Sequence, residues 1–366
     1  MHWSDGMHLS QRGGIMAGKS ADRPAGRRPR IGIKEIAELA NLSKTAVSYA
    51  LNGTGRLDAD TRARVIAIAR EHGYQANLHA RSLRGKGFGA LAVFASVPPT
   101  MTEIISTTDY FIRLWQGAVS AALERGYMLL LAPFGTGPEL LGNMPIDGGI
   151  IIDPIRQDPI LEHLTAKGLP TVLVGKSQDE RDSLNFTVDS PHGALATDIF
   201  SHFRSRGAER IGVILASQQY SYSVEVRRAY LDWIALTGQD DLFVEIDEAP
   251  LESAGYAAAQ RLLSCHLRPD AIYTSLDRLA VGAFFAAERA QIRVPDELLI
   301  AAGSDGAVTR TAPVAITALD LHPDLLGRSA VEMLINQIEQ EADPHEVLVP
   351  GDIVFRGSTD RPAAVA

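Results

Sequence analysis

The stretch Leu42–Gly55, LSKTAVSYALNGTG, decides how the first part of the chain folds. On a helix starting at Lys44, with about 100° per residue, Ala46, Val47, Ala50 and Leu51 share one half of the wheel. Lys44, Thr45, Ser48 and Tyr49 share the other. Ser43 is a natural N-cap, because its hydroxyl can accept from an N–H of the first turn. The apolar half needs a partner, and the sequence on either side supplies two.

Upstream, IKEIAELA places Ile33, Ile36, Ala37 and Ala40 at helical spacing, with Gly32 at the N-cap position. Asn41 tolerates the left-handed conformation that ends a helix sharply. Downstream, GRLDADTRARVIAIAREHG predicts a third helix, capped by Asp58, with Val65, Ile66 and Ala69 inward and Gly73 as the stop. Two helices joined by a short turn form a helix-turn-helix, whose second helix enters the DNA major groove. With Ile36 and Leu39 holding its apolar half, the second helix presents its polar half outward. Lys44 can donate to guanine O6 and N7, and Thr45 can bond a base edge or touch a thymine methyl. Tyr49 can donate to an acceptor or pack on a sugar. A merely solvated helix face is the plain alternative.

Charge favours the DNA reading. The net charge is -9, yet residues 1–87 hold 15 Lys+Arg against 7 Asp+Glu, and the remainder 20 against 37. A basic end on an acidic body suits a polyanionic partner. Residues 1–30 lack periodicity and end in RPAGRRPR, a disordered basic arm that adds phosphate attraction; Met7 and Met16 are alternative starts.

From Gly89 onward apolar runs alternate with amphipathic helical patterns. Strands are predicted over 90–95, 127–133, 148–153, 170–175, 210–216, 271–275 and 298–304, each buried on both faces as parallel strands are. Helices are predicted over 110–125, 192–206, 223–237, 253–264 and 278–291. Repeated βα units of this length imply a doubly wound α/β body of two lobes with a ligand cleft between them.

Several classes are excluded. No apolar run approaches the ~20 residues of a membrane span, and no signal segment opens the chain. One cysteine, Cys265, leaves no disulfide framework or multi-cysteine metal site, and a reducing cytoplasm is the default location. There is no nucleophile elbow and no glycine fingerprint at a strand–helix turn, so no enzyme, cofactor or metal is expected. The segment GKGFG, 85–89, precedes a strand and is not a phosphate loop. His163, His192 and His202 lie on helical patterns and read as surface or capping residues.

The order LSKTAVSYALNGTGRLDADTR, then Gly73-Tyr74-Gln75-Ala76-Asn77-Leu78-His79-Ala80-Arg81-Ser82-Leu83, resembles the lactose repressor (LacI/GalR) family of bacterial transcription factors. The similarity runs from Ile31 to Thr359 and includes VPDELLIAAGSD (294–305) and VLVPGDIVFRGST (347–359). It implies a small all-α helix-turn-helix DNA-binding domain (31–76), a hinge helix and linker (77–88), and a two-lobed, periplasmic-binding-protein-like domain (89–360) with doubly wound parallel sheets. The first lobe would take 89–188 and 321–342, the second 190–319 and 347–359. Lys44, Thr45, Ser48 and Tyr49 would read the major groove. Asn77 would cap the hinge helix, with His79, Ala80 and Arg81 on the DNA and Leu83 as a minor-groove wedge.

The resemblance also implies a homodimer on a near-palindromic operator, nucleoid-associated when bound, acting as a repressor under control of a small effector, a sugar or related metabolite. Asp305 and Asp153, at strand C-termini, are the effector candidates best placed in such folds, with Tyr222, Arg227 and Asp277. Tyr220 and Trp115 could add ring faces. Three polar pocket positions of the family read Val226, Leu276 and Leu319, which argues against a standard hexose. The alternative function is a cytosolic solute-binding sensor without sequence-specific DNA regulation.

Overall fold

A computed structural model describes residues 32–51, 57–72, 87–96, 108–133, 137, 141, 144–179, 185–217, 219–246, 251–341 and 344–361. Gly73, Asn77, His79, Ala80, Arg81 and Leu83 lie outside them. The chain forms two units, Met1–Asn77 and Leu78–Ala366.

In the first unit, α1 (Ile33–Ala40), α2 (Lys44–Leu51) and α3 (Ala59–Glu71) enclose Ile36, Ala37, Ala40, Val47, Ala50 and Val65. Gly32 N–H donates to Glu35 Oε2 at 2.9 Å, and Asn41 ends α1 at φ 51°. Ser43 Oγ accepts from Ala46 N–H at 3.1 Å, and Asp58 Oδ1 from Thr61 N–H at 2.7 Å. These caps satisfy donors that each helix leaves open at its start. Arg64 donates to the Ala40 carbonyl at 3.2 Å, tying α3 to the end of α1. Leu39 departs from expectation: it is 50% exposed, because the buried stripe of α1 centres on Ile36, Ala37 and Ala40. Ile66 is likewise only half-buried, beside the buried Val65 and Ala69.

The second unit holds, in chain order, β1 (Ala90–Ala95), α4 (Asp109–Glu124), β2 (Met128–Leu131), β3 (Gly148–Ile152), α5 (Pro159–Ala166), β4 (Thr171–Val174) and β5 (Phe186–Asp189). Then come α6 (His192–Ser205), β6 (Ile211–Ala216), α7 (Ser221–Thr237), β7 (Phe243–Ile246), α8 (Leu251–Leu263), β8 (Ala271–Thr274) and α9 (Asp277–Arg289). The rest is β9 (Leu299–Ala302), α10 (Ala307–Thr311), β10 (Thr317–Asp320), α11 (Pro323–Glu339), β11 (Glu346–Leu348) and β12 (Asp352–Val354). Two sheets result, in the orders β11-β5-β4-β3-β1-β2 and β12-β10-β9-β8-β6-β7. Their ladders are parallel except for β12, which runs antiparallel to β10.

The chain passes between the sheets after Asp189, after Asp320 and after Leu348. The last passage corrects the expected lobe boundary. Residues 346–348 pair with β5 of the first sheet, so the second lobe resumes only at 352. A second correction concerns β2, expected to be buried on both faces. It is an edge strand, with Met128 44% and Leu131 47% exposed.

Each lobe seats a pair of helices through glycines. A Cβ on Gly117 of α4 would fall 1.9 Å from the Asp324 carbonyl, and one on Gly327 of α11 2.0 Å from that of Leu114. Only glycine allows these backbones to approach so closely. The contact sets the start of α11 beside α4, where Arg113 bonds Asp320 Oδ1 at 2.9 Å and Asp324 Oδ1 at 2.6 Å.

Candidate functional sites

In the first unit the caps and the buried Val47 and Ala50 fix the rotation of α2. Lys44, Thr45 and Tyr49 are exposed, Tyr49 by 45%, and Ser48 is half-buried beside them. The helix therefore offers a cation, two hydroxyl-bearing side chains and a phenol along one face.

In the second unit the ends of β3, β4 and β5 carry Asp153, Gly175 and Asp189. Asp153 adopts φ 50°, a conformation Asp tolerates, and its N–H donates to the Val174 carbonyl at 2.9 Å. A Cβ on Gly175 would meet Asp153 Oδ1 at 3.4 Å and Ser221 Oγ at 3.6 Å. The carboxylate thus faces the first turn of α7, from the other lobe. There Ser221 Oγ also accepts from Lys176 N–H at 3.1 Å.

Asp189 is 3% exposed. Its Oδ1 accepts from Ser190 N–H at 2.8 Å, while Oδ2 has no hydrogen-bond partner. No hydrogen bond or ion pair reaches the Asp153 carboxylate among the described residues. Burial, and then the charge of Asp189, push Asp153 up to about 7. Asp189 also rises to about 7 through burial and the nearby Glu225, against the pull of the Ser190 N–H and Lys176. Burial and the same two carboxylates hold the Tyr110 phenol well above its ordinary value; burial and Asp153 do so for Tyr222. Tyr222 stacks parallel to Tyr220 at 5.6 Å, and its ring lies 5.8 Å from that of His192. Burial and Lys176 depress His192 to about 4.

A second acid cluster differs in kind. Asp305 Oδ1 accepts from Thr309 Oγ1 at 2.7 Å and Arg356 Nη1 at 2.8 Å; Oδ2 accepts from Arg356 Nη2 at 2.9 Å and Arg310 Nη1 at 3.0 Å. Burial works against its charge, but these donors hold its pKa below the usual carboxylate range. Arg310 also bonds Asp109, at the start of α4 in the other lobe. Asp277 is buried at the start of α9, accepts from Arg278 N–H at 2.7 Å, and is raised to about 6 mainly by burial.

The sequence candidates therefore separate. Asp153 and Tyr222 meet in one cluster, Asp277 and Asp305 in another. Arg227 joins neither: both of its terminal nitrogens bond Asp241, at 2.9 and 2.5 Å, and its guanidinium lies 4.0 Å from the Phe243 ring centre. Val226 and Leu319 are core residues, and Leu276 is half-buried before α9. Trp115 packs against Phe111 and the first-lobe core. Two histidines are more than surface groups: His192 packs on Tyr222 beside Asp189, and His202 bonds Thr359 Oγ1 at 3.0 Å. Sequence reasoning missed Tyr110 and Asp189. The signal for Asp189 was the strand FTVD, too short and too polar to stand out as an apolar run.

Comparison with known proteins defines the class. Residues 32–77 match the bacterial regulatory proteins of the lacI family, and residues 200–359 a periplasmic binding protein-like domain. The HTH-type transcriptional regulator AglR of Rhizobium meliloti (strain 1021) is 28% identical over 90% of this chain and 94% of its own. The regulator CelR of Thermobifida fusca is 24% identical over 91% and 99%. Among solved structures, a CelR–cellobiose complex matches with a TM-score of 0.69 at 22% identity, covering 90% of this chain and 100% of its own. The lac repressor dimer bound to operator matches at 0.68 and 19%, covering 90% and 99%.

A helix-turn-helix unit joined to a two-sheet binding-protein body is the plan of a bacterial transcriptional regulator. The chain belongs to the lacI family of these proteins. It is a DNA-binding regulator, in a family of regulators rather than enzymes. No described helix is long and apolar enough to cross a membrane.

Proposed function

We propose that two copies of this chain bind a near-palindromic operator as a cytoplasmic repressor, nucleoid-associated when bound. A small molecule held beside Asp153 and Tyr222 would set the operator affinity. The observation that carries the reading is the face of α2: Lys44, Thr45 and Tyr49 stand outward because Val47 and Ala50 are locked inward. Asn77, His79, Ala80, Arg81 and Leu83, outside the described residues, are proposed as the hinge, with Leu83 as the wedge.

Dimerisation draws support from the edge of the first sheet. Met128, Leu130 and Leu131 of β2 are exposed, as are Val119 and Leu123 of α4. An apolar edge strand of this kind is normally covered. The structures of the cellobiose complex and of the operator-bound dimer support the effector and DNA parts of the proposal by analogy.

Site selection from randomised DNA tests it. The selected site is expected to be two-fold symmetric, and Tyr49→Ala to relax preference at one position in each half, costing about 1–3 kcal/mol there. An asymmetric single site would overturn the dimer, and an unchanged preference would overturn Tyr49 as a reader.

A further inference from the structure

We propose that the cleft takes an organic cation: a protonated amine seated between Asp153 and Asp189, its apolar part against the rings of Tyr110 and Tyr222. This rests on the reading of the cleft as the effector site and names the chemical class that fits it.

The balance of charge is the first reason. One ammonium, Lys176 Nζ, lies 2.9 Å from Glu346, 3.9 Å from Glu225 and 4.0 Å from Asp189. Its close bond is to Glu346, so Asp189 shares a distant cation and, among the described residues, Asp153 has none. The arginine that sequence reasoning offered to this cleft, Arg227, is bound to Asp241. His192, whose ring lies 5.8 Å from that of Tyr222, is held neutral at neutral pH and does not repel a cation.

Unfilled hydrogen bonding is the second reason. Asp189 Oδ2 is buried without a hydrogen-bond partner, and so is Oγ of the adjoining Ser190, which is only 1% exposed. Buried polar atoms in native proteins are normally paired, so these two adjoining atoms are open to a partner that the described residues do not supply. Carboxylates only accept, and an ammonium is all donor. A neutral polyol would bring oxygens that also need donors.

The walls decide between a metal ion and an organic cation. The described residues contain no group of three His, Cys, Asp or Glu that could hold a metal. They do contain Tyr110, packed on the cores of both lobes, and the stacked Tyr220–Tyr222 pair. Aromatic faces attract ammonium groups and cover carbon skeletons.

Full-length protein is to be titrated with matched pairs, glucosamine against glucose and 2-phenylethylamine against 2-phenylethanol, by thermal unfolding and calorimetry. An amine is expected to raise the midpoint by roughly 2 °C or more, with its neutral counterpart inert. Asp153→Asn and Asp189→Asn, both isosteric, are expected to weaken the amine by about tenfold to a hundredfold. Unliganded midpoints show that each variant is folded. Affinity for 2-phenylethylamine, an alkylamine that stays protonated over this range, should also rise between pH 6 and pH 8, as Asp153 and Asp189 give up their protons; Glu225, Glu346, Lys176, His192, Tyr110 and Tyr222 are the other groups facing them. If neutral partners bind equally well and tolerate both substitutions, the cation is overturned and the effector cleft stands. If no compound in either arm moves the midpoint, the cleft reading falls with it.

Discussion

The two acid clusters of the α/β body sit at equivalent places, beyond the C-terminal ends of strands in each sheet, yet they are finished differently. Asp305 receives four hydrogen bonds, from Thr309, Arg310 and twice from Arg356. Asp153 receives none among the described residues, and Asp189 keeps one oxygen unpaired. Position in the fold makes both clusters candidates for a ligand. Bonding separates them: the carboxylate of Asp305 is saturated by groups of its own lobe, and those of Asp153 and Asp189 are left with open acceptors among the described residues. The pKa directions agree, with Asp305 held down by its donors, and Asp153 and Asp189 each pushed up to about 7 by burial and a neighbouring carboxylate, Asp189 for the first and Glu225 for the second.

The sharpest break of this contrast is Asp305→Ala. It leaves Arg356, 13% exposed at its side chain, without its carboxylate and cuts the tie between α10 and the C-terminal segment. Removing one partner of a buried ion pair costs about 3–5 kcal/mol. Chemical denaturation at pH 7 should show a loss of this order. A loss below about 1 kcal/mol would mean that Asp305 is as free as Asp153, and the comparison would fail.

Next in size, and opposite in sign, is Asp153→Asn. A carboxyl whose pKa rises on folding, from 3.8 to about 7, keeps a proton in the native state that the unfolded state has lost. Its contribution is full at low pH and is lost as pH rises through that window. Asp153→Asn should therefore stabilise the unliganded protein at pH 8 by about 1–3 kcal/mol and change little near pH 4. Asp305 runs the other way. Its depressed pKa contributes above 3.8, and that contribution disappears on acidification. Melting curves at pH 4 and pH 8 check the sign for Asp153, and curves taken well below 3.8 check that for Asp305; equal effects at pH 4 and pH 8 would contradict the assignment for Asp153.

These differences explain what was legible in the sequence. The face of α2 could be read because helix periodicity assigns Val47 and Ala50 inward and Tyr49 outward without knowledge of any partner. Asp153 and Asp305 could be placed because each follows a long apolar strand. Their bonding could not: Arg356 lies 51 residues from Asp305 in sequence, and Asp109 201 residues from Arg310. Such pairings depend on how the lobes fold and not on local pattern. Leu39 shows the same limit at short range, since a one-position shift of the buried stripe moved it to the surface. The edge position of β2 was hidden because MLLL reads like any central strand.

The smallest expected effect concerns the contact that joins the saturated cluster to the other lobe. Arg310 bonds both Asp305 in its own lobe and Asp109 at the start of α4, and its side chain is nearly half exposed. Tyr110, the next residue after Asp109, feels the charges of Asp153 and Asp189, so consecutive residues of α4 reach the two clusters. If the saturated cluster is internal scaffolding, its bond across the cleft should be worth little. An exposed pair of this type contributes about 0.2–1 kcal/mol. A double-mutant cycle of Asp109→Ala and Arg310→Ala should return a coupling in that range, and Asp109→Ala alone should leave the Asp305 network intact. A coupling of several kcal/mol would instead make Arg310 a firm clasp between lobes, and Asp305 would then belong to the moving parts of the cleft rather than to its frame.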